Sequence, residues 1–142
     1  MKPILAPVIA LVLWTLVMML WMYATRLPAM RAAGVRFKEL VGGVGSDIDK
    51  VVPASVQWKA HNYNHLMEQP TLFYAVALSL AMIGLGDGLN ATLAWLYVAL
   101  RVLHSIIQAT VNIVRFRFLA FIAGSLVLMV LAVRAGMALL LV

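Results

Sequence analysis

Apolar residues run along this chain in long unbroken stretches, not in the alternation of a half-buried strand or the narrow stripe of a surface helix. The stretches predict four transmembrane helices, over about 4–25, 56–85, 91–112 and 118–140. The second differs from the rest. Only Pro70 to Leu85 is apolar, short of the ~20 helical residues a bilayer needs. It reaches length only if the polar stretch from Val56 to Gln69 continues it as one helix projecting out of the membrane. Pro53 and Ser55, a candidate N-cap, fit a start there, and Pro70 predicts a kink at the bilayer boundary. The first run, followed by Arg26, is longer than the ~7–15 apolar residues of a signal peptide and lacks a small-x-small cleavage site, so it reads as a retained span.

Residues 26–55 read as a solvated loop with short helical pieces. Its Gly42-Gly43-Val44-Gly45-Ser46 lacks the preceding strand and the Gly-Lys-Ser/Thr ending of a phosphate-cradling loop. Gly84 to Gly88 predicts a tight turn, with Asn90 as a cap for the third span. The expected fold is an all-α integral membrane protein, one four-helix transmembrane bundle formed by residues 1–142 as a single domain.

Composition agrees. The hydrophobic share is 65% and the charged share 11%, against roughly 45–50% and about 25% in soluble proteins. A water-soluble fold of this size could not cover that surface, and disorder goes with the opposite balance. The net charge of +6 would suit nucleic acid, but Arg26, Arg31, Arg36, Lys38, Lys50 and Lys59 all lie between the first two spans, where the positive-inside rule puts them. With Arg115 and Arg117 in the third connection, the rule places the first and third loops in the cytoplasm and the termini on the periplasmic side of a bacterial inner membrane. Nucleic acid is not an expected partner; membrane lipid is. There is no cysteine, so any thiol chemistry needs a thiol from a substrate.

A buried charge in a membrane helix asks for a partner or a use. Arg101 sits midway along the third span, and Arg101, His104, Gln108, Asn112 and Arg115 follow in steps of three and four, on one helical face with Tyr97. A second stripe holds His61, Asn64, His65 and Glu68. Two such faces are best satisfied against each other or a shared wet cavity, and an ion pair of Glu68 with Arg101, direct or through a ligand, is the expected arrangement. Metal is not expected: a zincin helix needs Glu directly after the first His, where Asn62 stands. Arg134 is expected to snorkel to the far interface.

His65-Leu66-Met67-Glu68-Gln69-Pro70-Thr71-Leu72-Phe73-Tyr74 followed by Arg101-Val102-Leu103-His104 resembles the MAPEG family, the membrane-associated proteins in eicosanoid and glutathione metabolism, and in particular its small bacterial members. The likeness covers nearly the whole chain. It implies a homotrimer binding glutathione as co-substrate between subunits, near the cytoplasmic side, and a microsomal-type glutathione transferase or peroxidase acting on a lipophilic small molecule. By position, Arg26, Lys59, Asn62, Asn64, His65, Glu68, Arg101 and Gln108 would hold the peptide. Arg115 or Arg117, between which the sequence does not choose, would stabilise the thiolate, and His104 would orient the thiol or take its proton. His104 and Gln108 stand where the family often places tyrosines, His65 where it places an asparagine, and Lys59 where it usually has an arginine. The other reading is a non-catalytic membrane protein whose polar faces form a trimer seam or bind another anionic or lipid ligand.

Overall fold

The computed structural model describes residues 2–39 and 41–140, with backbone alone for Phe37. It is helical throughout, and no strand occurs among the described residues. The elements are α1 (Leu5–Ala32), a 3-10 turn (Phe37–Glu39), α2 (Gly45–Ile48), α3 (Ala54–Leu66), α4 (Gln69–Met82), α5 (Gly88–Ala109) and α6 (Val114–Leu140).

α1 runs past the expected boundary at Thr25, so Arg26 lies about six turns into the helix and not in a loop. The apolar pattern marks where lipid ends, whereas Leu27, Ala29, Met30, Arg31 and Ala32 carry the helix further in spite of Pro28 within it, which removes one backbone hydrogen bond. α6 likewise starts four residues before the apolar run at Phe118.

The expected kinked second helix is two helices. α3 ends at Leu66, Glu68 leaves the helical region with φ −90° and ψ −99°, and α4 begins at Gln69. Proline explains the break: inside a continuous helix Pro70 would clash with the carbonyl of Leu66 and lack the donor for it, but in the first turn of a new helix its missing N–H costs nothing. Neither expected cap is used. Pro53 takes the cap position of α3 and Asp87 that of α5, which puts Ser55 and Asn90 inside the first turns. The Asn90 side chain instead donates to the carbonyl of Leu85 at 2.8 Å and closes the turn before α5.

α5 packs most extensively on α6, while α1 packs on α3 and α5, and α4 rests more lightly on α6 and α1. Leu11, Met18, Phe73, Ala77, Leu80, Ala94, Tyr97 and Leu131 form the core. The N-terminal segment is tied to the α4–α5 turn by the Ile4 amide on the Gly86 carbonyl at 2.9 Å. Gly86 permits this approach: a Cβ there would lie 2.7 Å from the Ile4 side chain. α1 and α6 also present outward Leu13, Leu16, Leu20, Leu126, Met129 and Val133. An apolar surface this continuous suits contact with lipid or with other membrane helices. α1, α5 and α6 are long and apolar enough to cross a membrane; α3 and α4 singly are not.

Candidate functional site

The inner face of α5 carries Tyr97, Arg101, His104, Ser105 and Gln108, all buried. The predicted stripe holds as far as the helix does. α5 stops at Ala109, and Asn112 turns the chain with φ +50°, so Asn112 and Arg115 do not extend the face. Left-handed backbone suits asparagine better than most residues, which favours a turn over another helical step.

Arg101 is fully buried. Its Nη2 donates to the backbone carbonyl of His65 at 2.9 Å. In an unbroken helix that carbonyl would take the amide of Gln69, four residues on; the break after Leu66 frees it for the guanidinium. The same nitrogen lies 3.5 Å from His65 Nδ1, and the Phe121 ring lies 5.7 Å from the guanidinium carbon. Arg101 Nε and Nη1 have no hydrogen-bond partner. The expected direct pair with Glu68 is not made. The break turns Glu68 outward, its side chain 68% exposed, where Oε2 lies 3.5 Å from His65 Nδ1.

Around this arginine the His65 and His104 rings meet edge to face at 5.0 Å, with Phe121 against both. Arg117 donates to Asn112 Oδ1 at 2.7 Å and lies close enough for its charge to act on both imidazoles. Arg115 is exposed. Nearby, Asn62 donates to Ser105 Oγ at 2.5 Å. The carbonyl oxygens of the Asn62 and Gln108 side chains are buried without partners. Gln69 donates to Ser125 Oγ at 2.7 Å and accepts from the Tyr97 hydroxyl at 3.4 Å. The centre is thus rich in cations and rings and poor in carboxylates.

The rest of the second stripe divides. His61 turns to Asp49, Nε2 to Oδ2 2.8 Å, and Asn64 is exposed. Arg26 donates to the Gly45 carbonyl at 2.6 Å and lies 3.6 Å from Asp49. Lys59 donates to the Ser55 carbonyl at 2.7 Å, its amine 5.6 Å from the centre of the Trp21 ring. His61, Arg26 and Lys59 flank the loop, with Gln57 bonded to the carbonyls of Asp49 and Val52. Arg134 does not simply snorkel: its Nε donates to Asn90 Oδ1 at 2.5 Å. Among the described residues no three His, Asp or Glu gather as a metal site.

Sequence reasoning passed over Ser105, Gln69, Ser125, Phe121 and Asp49. Ser105, four residues after Arg101, was accessible from helical spacing. Phe121 and Ser125 sit in an ordinary apolar run, and only packing reveals them.

Helices long and apolar enough to cross a bilayer, outward apolar faces and a buried arginine-centred polar cluster define an integral membrane protein. The chain belongs to the MAPEG family, whose family model matches residues 4–137 of it. That family includes glutathione-dependent transferases and peroxidases. No curated protein and no solved structure matches the chain.

Proposed function

We propose that the protein is a glutathione-dependent membrane transferase or peroxidase acting on lipophilic electrophiles, working as a homotrimer in a bacterial inner membrane. One observation carries the reading: fully buried Arg101 has two nitrogens without partners, Nε and Nη1, beside the His65–His104 pair and Arg117. Unpaired guanidinium donors away from water are costly, and an anionic ligand would satisfy them. Glutathione offers two carboxylates, an amine, two amides and a thiol. A carboxylate goes to Arg101, and the unpaired side-chain oxygens of Asn62 and Gln108 accept from its N–H groups. Glu68 and Asn64 face outward and reach glutathione held against a neighbouring subunit, while Arg26 and Lys59 guard the cytoplasmic approach.

Arg117 is the thiolate-stabilising cation in this reading, since it is half-buried beside the imidazoles whereas Arg115 is exposed. The thiol proton passes to His104 as sulfur bonds to the electrophilic carbon, and the leaving group departs with the electron pair of its old bond. A permanently charged arginine stabilises the anion without exchanging a proton. The site lies among apolar helices, which suits a co-substrate partitioned into lipid.

Calorimetry with glutathione, thiolate absorbance near the ultraviolet edge and conjugation of a model electrophile test this together. Arg117→Gln is expected to lower turnover about 100-fold with affinity kept, and Arg115→Gln to leave both near wild type. A second reading, binding without turnover, is favoured by His104 and Gln108 standing where relatives have tyrosines. Binding with neither thiolate signal nor conjugation would establish it.

A further inference from the structure

The end of the bundle away from the Arg101 cluster holds three charged residues among those described: Lys2, Asp87 and Arg134. Arg134 is the unusual one. It lies on α6, exposed, level with the first turn of α5, and its Nε is held by Asn90, which is only 4% exposed and is itself bonded to the Leu85 carbonyl. No carboxylate among the described residues pairs with it. A snorkelling arginine needs no such anchor. Fixing Nε orients the guanidinium plane and leaves both terminal nitrogens to form the fork that suits a phosphate or carboxylate.

Depth narrows the ligand. The 22 residues of α5 give about 33 Å at 1.5 Å per residue, close to the ~30 Å hydrocarbon core. Asn90 is the third residue of that helix, so Arg134 lies near the core boundary, where lipid phosphates are. Val130, Val133 and Met137 on α6 and Leu89 on α5 are all exposed beside it, a setting that favours a ligand with apolar chains over a soluble anion.

We propose that Arg134, oriented by Asn90, binds the phosphate of a bilayer glycerophospholipid whose acyl chain lies along Val130, Val133 and Met137. The site is separate from the glutathione centre and independent of that assignment.

Native mass spectrometry of the purified protein, stripped of lipid in detergent, tests it with three probes: phosphatidylglycerol, a diacylglycerol with the same chains, and inorganic phosphate. Phosphatidylglycerol is expected to bind at least fivefold more tightly than either of the others. Arg134→Gln should weaken it at least fivefold, Arg134→Lys at least threefold because the Asn90 contact and the fork are lost, and Lys50→Gln, which removes a loop cation, not at all. Equal binding by wild type and Arg134→Lys overturns the proposal, as does diacylglycerol or inorganic phosphate binding as well as the phospholipid. Should Arg134→Gln fail to fold, the three-probe comparison on wild type and Arg134→Lys still decides.

Discussion

Replacing Arg101 by methionine should separate a binding arginine from a structural one, because the first role predicts lost affinity with stability kept and the second the reverse. The substitution removes the charge-assisted bond to the His65 carbonyl, about 1.5–3 kcal/mol, and the contact with the Phe121 ring, about 0.5–2 kcal/mol. It also relieves the burial of a guanidinium with Nε and Nη1 unpaired, an effective penalty of several kcal/mol. Methionine is long and adaptable enough to fill the space. The substitution also leaves the His65 carbonyl without its partner, about 1–3 kcal/mol, so gains and losses nearly cancel and the ligand-free protein should change by no more than about 2 kcal/mol in either direction. Glutathione binding loses one or more charged hydrogen bonds, again about 1.5–3 kcal/mol, which is about 10- to 150-fold in Kd. Thermal unfolding in detergent and calorimetry on the same preparation read both quantities. A fall of many degrees in Tm with Kd unchanged would refute the reasoning and make Arg101 a helix fastener.

The Asn62–Ser105 bond is expected to be a true helix tie: Asn62→Ala and Ser105→Ala should each cost about 1 kcal/mol, and the double variant little more than one single, so an additive result in denaturation removes the pair from the account. For orientation, Ser46→Cys in this Cys-free chain should react with a membrane-impermeant thiol reagent from the cytoplasmic side alone; labelling from the periplasm reverses the topology.

Much of the fold is written in the apolar runs, because burial in lipid demands residue types that nothing else in the sequence mimics. α1, α5 and α6 follow from them directly. Boundaries do not, since hydrophobicity reports the lipid and helix propensity reports the helix, and the two part company at Arg26 and again before Phe118. Pro70 was legible as a disturbance, but whether it kinks or breaks a helix depends on what else can satisfy the freed backbone, and the satisfying group is Arg101, 31 positions away. The same distance hides the fate of Glu68. A stripe of polar residues tells which side of a helix is inward but not which partner a side chain finds, so Tyr97, Arg101, His104 and Gln108 were readable as a face, while His61 bonding to Asp49 and Arg134 to Asn90 were not.

The short α4 carries a further consequence. Its 14 residues give about 21 Å, roughly 9 Å less than the hydrocarbon thickness of a typical bilayer. In the four-span reading, where α4 crosses the bilayer, that mismatch is absorbed by α3 sinking below the surface or by lipids thinning around the protein. Either response sets the level of the α3–α4 break, and with it the freed His65 carbonyl, relative to the surrounding headgroups. Membrane thickness thus sets the depth of the Arg101 cluster: longer acyl chains place it deeper, and shorter ones lift it toward the surface.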